Sequence, residues 1–239
     1  QALAADGRAN GAGSIESLVS ACADVDGLGR LRLYYLYPRE IREGLIDVMA
    51  DHPVIADYFD LSLQHASAKL LRSMRRPGSG EKHLALIDRI LSAAPDAAKR
   101  SSFIVGYPGE TDDDLEELEQ FLRAAPLDWS GFFPYSAEEG TDASLLPNQV
   151  PGEEIAERLR YHHALQDDIT AQRNAAAVGR RLSVLVDQVE DGLPVGRSYR
   201  EAPEIDGMIV LDRGEAGEWV EAEIDGGYGN DLSATVVTA

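Results

Sequence analysis

The 239 residues carry 22 basic and 42 acidic side chains, a formal charge of −20 at pH 7 that repels nucleic-acid phosphates and favours basic partners. Simple solvation, or adaptation to salt, would give the same imbalance. The apolar share is that of an ordinary globular protein, with room for one sizeable domain and a small one. No apolar stretch of about eighteen residues is present to cross a bilayer, and no basic-then-apolar leader opens the chain, so a soluble, cytoplasmic protein is expected. Cys22 is the single cysteine, which excludes an intrachain disulfide and a cysteine-rich metal site within this chain. It is expected to pack as a small buried residue on a helix. The chain starts at Gln1, and Gln1 to Gly13 opens without a structural signal, as a fragment or processed chain would.

Leu31 to Tyr37 is rich in strand formers and stops at Pro38, which suits the first turn of a helix carrying Ile41, Leu45, Val48 and Met49. Tyr58 to Leu63 reads as a second strand. Leu70, Leu71 and Met74 mark a short helix ending near Pro77-Gly78, and Leu84, Ile87 and Leu91 line one face of the next, broken at Pro95. Ser101 to Val105 is a buried-type strand running into Gly106-Tyr107-Pro108-Gly109. Thr111 is then a helix N-cap, Asp112 to Asp114 sit at the positive end of the helix dipole, and Leu115, Leu118 and Leu122 form the apolar stripe. Trp129 to Tyr135 is the last strand of this region.

Such alternation predicts α/β architecture, a parallel sheet with helices packed outside. Four strands cannot close an eight-stranded barrel, so further strands are expected upstream. A helix, Gln1 to Gly13 or dimerisation would have to cover the open edge. Glu153 to Asn174 reads as a long polar helix with a thin stripe of Ile155, Leu159 and Ile169. Beyond Arg180, five short strands (Leu182 to Val186, Val195 to Tyr199, Met208 to Leu211, Trp219 to Ile224 and Ala234 to Val237) suggest a small closed barrel. The expected organisation is 1–150 for the α/β region, 151–178 for a linker helix and 179–239 for the β-barrel.

Ligands of parallel sheets bind at the C-terminal strand ends. Four segments fall there: Tyr37-Pro38, Gln64-His65, Gly106 to Glu110 and Tyr135-Ser136. Each has a plain structural alternative: a tight turn for the glycines, a satisfied core histidine for His65, a strand end for Tyr135. Arg75 and Arg76 either cap the preceding helix or pair with a ligand carboxylate. His162-His163 lacks the neighbours a metal site needs. Between Ala176 and Ala239, five arginines stand against thirteen carboxylates, the reverse of a nucleic-acid-binding barrel.

Taken in order, YLYP (in the 34–38 region), DLSLQHAS with LLRSMRRPGS (60–79), RSSFIVGYPGETDDD (100–114) and FFPYSAEEGT (132–141) resemble the radical-SAM methylthiotransferases. GRSYREAPEIDG (196–207) resembles the RimO-type branch, which modifies an aspartate of a small-subunit ribosomal protein. The resemblance implies the C-terminal portion of such an enzyme: part of a radical-SAM (TIM-like) barrel, a linker helix and a TRAM (OB-like) barrel.

It also implies S-adenosylmethionine as cofactor. Ile104, Gly106 and Glu110 would form the strand along adenine, Gln64 and His65 would lie near the ribose and methionyl group, Arg75 would meet the carboxylate, and Tyr135 and Ser136 would touch adenine. Arg197, Arg200, Glu204 and Asp206 would bind substrate. The family's 4Fe-4S clusters need cysteines that this chain does not carry, so the chain alone is expected to be inactive, with no catalytic residue or metal ligand assigned. The partner implied is a basic ribosomal protein. The tRNA-modifying (MiaB-type) branch and a non-catalytic protein-binding module are the alternatives.

Overall fold

The computed structural model describes residues 14–237. Gln1 to Gly13, considered above as a cover for the sheet edge, lies outside the described residues. The chain divides into a first unit running to Pro126 and including Ser130–His163, and a second made of Leu127–Trp129 and the residues from Ala164 on. Among the described residues no helix is long and apolar enough to cross a membrane.

In the first unit, Ser14 caps α1 (Ile15–Ala23) by accepting a hydrogen bond from the Ser17 amide. Cys22 on this helix is exposed, not buried as expected, because the buried positions of α1 are Val19 and Ala23. Leu31 to Tyr37 does not form a strand. It makes only isolated parallel bridges, Leu31 with Ile55 and Leu36 with Leu61. The reason is Tyr35, whose φ of 57° turns the backbone into the left-handed region and points its amide at Asp60 Oδ2, 2.9 Å away. Pro38–Glu40 is a single 3₁₀ turn, and α2 (Glu43–Asp51) follows.

Then come β1 (Tyr58–Gln64), α3 (Ala68–Ser73), α4 (Gly80–Ala93), β2 (Ala98–Val105), α5 (Asp112–Ala124) and β3 (Trp129–Pro134). The sheet order is β1-β2-β3, with β1 and β2 parallel from Tyr58↔Ala98 to Gln64↔Phe103. Adjacent residues of β1, Tyr58 to Leu61, are buried on both faces, as a covered parallel sheet requires, whereas toward the end of β2 Phe103 and Val105 share one buried face and Ile104 on the other is half-buried. Phe103 stacks on Phe132 at 5.5 Å and meets Phe121 of α5 edge-on at 6.1 Å. The buried face of α4 is His83, Leu86, Ile87 and Ile90, rotated from the expected Leu84-Ile87-Leu91 line because His83 turns inward against Phe121. Thr111 and Asp114 form the capping box that starts α5, as its sequence predicts.

Helix α6 (Gly152–Ala175) begins in the first unit and ends in the second. Its inward residues are mostly polar rather than the expected Ile155-Leu159-Ile169 stripe. They are Arg158 and His162 in the first half, and Leu165, Gln166, Thr170 and Asn174 in the second.

The second unit closes five strands into a barrel of order β4-β5-β6-β8-β7: β4 (Arg181–Glu190), β5 (Leu193–Arg197), β6 (Ile209–Leu211), β7 (Trp219–Tyr228) and β8 (Asp231–Val236). Only β6 and β8 pair in parallel. Leu182, Val184 and Val186 point inward at period two and meet Ile209, Leu211, Ala222, Ile224 and Leu232. The alternation seen in sequence thus becomes the barrel core.

Candidate functional site

The three strands of the first unit end around a cavity of about 480 Å³ lined by Gln64, Ile104, Tyr107, Pro134 to Ser136, Ser73 to Arg76 and Thr141 to Ala143. Local backbone geometry builds it. β1 finishes at Gln64 with φ 70°, and the chain after α3 turns at Arg75 with φ 57°. The Tyr135 amide donates to Val105 O at 2.8 Å, holding the end of β3 beside β2. Tyr107 and Tyr135 meet edge-on at 5.3 Å, and Tyr107 Oη donates to Ser73 O at 3.3 Å. Tyr135 Oη is shielded from solvent and has no hydrogen-bond partner among the described residues. Arg75 reaches Asp142 at 2.5 Å, whereas Arg76 donates to Ser62 O at 3.2 Å with its guanidinium 5.2 Å from the Tyr37 ring centroid. Of the eight residues that the resemblance assigns to cofactor binding, Gln64, Arg75, Ile104, Tyr135 and Ser136 line this cavity.

The other three, His65, Gly106 and Glu110, form a buried polar cluster of their own. Both Glu110 carboxylate oxygens accept the Gly106 N–H, at 2.9 and 3.0 Å, and Arg158 Nη1 donates to Oε1 at 2.8 Å. Gly106 has φ +84°, and a Cβ there would fall 2.4 Å from Ile155 Cγ1, so only glycine fits. His65 Nδ1 accepts the Ser67 amide proton at 3.0 Å, which leaves its ring proton on Nε2, 3.6 Å from Glu110 Oε2. Arg158 was not singled out in the sequence. The available signal was its place one turn beyond Ile155 on the same helix.

Beside this cluster, Asp114 accepts from Ser67 Oγ at 2.7 Å, Lys69 Nζ at 2.5 Å and the Thr111 amide at 2.9 Å. Burial alone would raise its pKa, but the bonds from Lys69, Ser67 and Thr111 bring the carboxyl down to about 2. Burial also pushes His83 down to about 4, partly offset by the His65 carbonyl.

In the barrel unit the four residues assigned to substrate binding do not share one environment. Arg200 is 3% exposed, donates to Asp128 Oδ1 at 3.4 Å and Asn174 Oδ1 at 3.3 Å, and packs over the Trp129 ring. Asp206 accepts the Ala202 amide at 3.1 Å. Arg197 pairs with Asp187 near the surface, and Glu204 is exposed at φ 68°.

Residues 15–122 match the model of the radical SAM superfamily, and residues 178–237 match that of the TRAM domain. A radical SAM match is thus followed by a TRAM match, in line with the expectation drawn from the motifs and with the five-stranded barrel. It is 48% identical over 227 residues to the ribosomal protein uS12 methylthiotransferase RimO of Streptomyces griseus subsp. griseus, covering 92% of this chain and 46% of that protein. It is 45% identical over 230 residues to the protein of the same name from Acidothermus cellulolyticus, covering 94% and 48%. The chain thus spans about half the length of the curated relatives it matches. Among solved structures, coproporphyrinogen III oxidase (HemN) from Escherichia coli, a radical SAM enzyme, superposes with a TM-score of 0.51 at 15% identity. That match covers 64% of this chain and 37% of the oxidase, and speaks to the fold alone.

Proposed function

We propose that this chain is the cofactor-positioning and partner-docking part of a radical SAM methylthiotransferase that adds a methylthio group to the β-carbon of an aspartate in ribosomal protein uS12. The observation that carries the reading is the convergence of Gln64, Arg75, Ile104, Tyr135 and Ser136, from separate stretches of sequence, on one cavity at the strand ends.

The cavity suits S-adenosylmethionine on its own chemistry. Ile104, Tyr107 and Pro134 offer apolar surface for a nucleoside base, while Gln64, Ser136 and the unpartnered Tyr135 hydroxyl offer polar atoms. Arg75, whose exposed guanidinium pairs with exposed Asp142, is the cation for the amino-acid carboxylate. When bound, S-adenosylmethionine supplies the adenosyl carbon for hydrogen abstraction and the methyl group for transfer. The residues here orient it and keep water from the reacting carbon. Gly106, fixed by Glu110, keeps the end of β2 in place against the cavity wall. Iron–sulfur clusters are held by several thiolates, and the one cysteine of this chain does not fit that need.

The five arginines and thirteen carboxylates from Ala176 on support a basic protein partner over tRNA, since a polyanion would meet a repulsive barrel. A ribosomal protein substrate in turn supports a cytoplasmic setting. The direct test is calorimetric titration of S-adenosylmethionine into this chain. Binding that weakens about tenfold or more in Gln64→Ala and Ile104→Asp supports the reading, and no heat from the unsubstituted chain would refute it.

A further inference from the structure

Helix α6 reads in the sequence as a linker, yet its residues up to His163 fall in the first unit. There it meets Gly106 in two ways. Ile155 packs over the glycine Cα, where a Cβ would come within 2.4 Å of its Cγ1. Arg158, one turn on, donates from Nη1 to Glu110 Oε1 at 2.8 Å and to the Glu110 carbonyl at 3.5 Å. The same Glu110 carboxylate accepts the Gly106 N–H. The helix has its own anchors on this unit. Tyr161 Oη donates to Glu119 Oε2 of α5 at 2.6 Å, and His162 Nδ1 donates to the Arg158 carbonyl at 2.8 Å. Arg158 also pairs with Glu154 of its own helix, so the guanidinium is held from both sides.

Gly106 stands between two residues of the cofactor cavity's lining, Ile104 and Tyr107. With φ at +84°, its backbone sets the direction in which the chain leaves β2, and so where Tyr107 lies relative to Ile104. Glu110 is fully buried, with no solvent to orient its carboxylate. The guanidinium fork does that instead, and the oriented carboxylate fixes the amide.

We propose that Arg158 is a positioning residue of the cofactor cavity, acting through Glu110 and Gly106 to set the Ile104–Tyr107 wall for the nucleoside base. The inference rests on the reading of that cavity as the S-adenosylmethionine site. It places a determinant of cofactor affinity on a helix outside residues 15–122, the stretch that matches the radical SAM model. Binding sites need their lining held to a fraction of an ångström by the residues behind it, and α6 is that support here.

The test is calorimetric titration of the full chain with S-adenosylmethionine and with 5′-methylthioadenosine, which keeps the adenosyl end and lacks the amino acid. Arg158→Lys keeps a cation beside Glu110 but loses the fork. It should weaken both ligands by a similar factor, about tenfold, at unchanged stoichiometry. Arg75→Gln should weaken S-adenosylmethionine alone. In Arg158→Met/Glu110→Gln, stability to urea should partly return relative to Arg158→Met while affinity for both ligands stays low, because the neutral amide is no longer oriented.

Unchanged dissociation constants in Arg158→Lys, with or without a fall in stoichiometry, would make Arg158 a folding residue only and overturn the proposal. Affinity returning together with stability in the double variant would do the same. Weakening of S-adenosylmethionine alone by Arg158→Lys would place its effect at the amino-acid end, against the proposal. If neither ligand binds the unsubstituted chain, the cofactor reading fails and this inference falls with it. That result precedes any variant, so the two failures are distinct.

Discussion

Arg158 Nη1 sits 2.8 Å from Glu110 Oε1, with both side chains buried, and through that carboxylate a residue of α6 holds the Gly106 amide at the end of β2. His65 Nε2 lies 3.6 Å from Glu110 Oε2, beyond hydrogen-bond reach, so Arg158 and the Gly106 amide are the groups that compensate this carboxylate. Removing one partner leaves a buried charge exposed to nothing but protein. Arg158→Met should therefore cost about 3–5 kcal/mol in urea unfolding. Adding Glu110→Gln to that variant should restore part of the loss, since a neutral amide no longer needs the guanidinium. A double mutant no more stable than Arg158→Met alone would show that the pair is not coupled.

Gly106 carries a second constraint from the same helix. Its φ of +84° and the 2.4 Å approach of Ile155 are independent penalties on a side chain there. Gly106→Ala should cost about 2–4 kcal/mol, combining left-handed strain with overpacking. In an Ile155→Ala background the steric part should fall away and leave about 1 kcal/mol for the backbone. Equal cost in both backgrounds would assign the whole effect to φ.

Acidification should unfold the first unit in two separable stages. His83 is held neutral by burial, with a pKa of about 4 against 6.5 unfolded, so the unfolded chain takes up its proton first. Its contribution is full above pH 6.5 and is lost as pH falls toward 4. Asp114 is lowered to about 2 from 3.8, so its contribution, about 2 kcal/mol, is present above 3.8 and disappears as pH falls toward 2. Urea titrations at stepped pH should show His83→Phe flattening the upper window and Asp114→Asn flattening the lower one. Loss of the upper slope in Asp114→Asn would reverse the assignment.

Strand and barrel positions were legible because a covered sheet and a small barrel leave plain apolar patterns. Phe103-Val105 and Leu182-Val184-Val186 fall where those patterns put them. The capping box at Thr111 was legible for a similar reason, being local chemistry over a single turn. What was hidden depends on pairing across the chain. Arg158, Gln166, Thr170 and Asn174 read as the solvated face of a polar helix, yet each is buried with a hydrogen-bond partner far from it in sequence or one turn away. Tyr35 was taken into a strand because its residue type favours one, while its amide is claimed by Asp60, 25 residues on. Of the four segments expected at strand ends, those at Gln64, Tyr107 and Tyr135-Ser136 reach the candidate cavity while Tyr37-Pro38 is not in its lining, and the division into a lining set and the Glu110 cluster behind it was not legible.

Two arginines with the same sequence-based assignment should behave differently in the barrel unit. Arg200 is enclosed, shared between Asp128 and Asn174, and stacked over Trp129, while Asp128 also takes Arg173 at 3.2 Å and its carbonyl accepts Thr170 Oγ1 at 2.8 Å. Arg197 pairs with Asp187 at the surface, where solvent screens the charges. Arg200→Met should lower stability by about 3–5 kcal/mol, because Asp128 keeps its buried charge with one fewer partner. Arg197→Met should change it by less than about 1 kcal/mol. If uS12 docks on the barrel through arginine side chains, Arg197→Met should still weaken that complex at unchanged stability. Loss of binding in Arg200→Met should track the unfolded fraction. Equal stability in the two variants would mean that the buried arginine is replaceable, and would return Arg200 to the set of residues able to contact a partner.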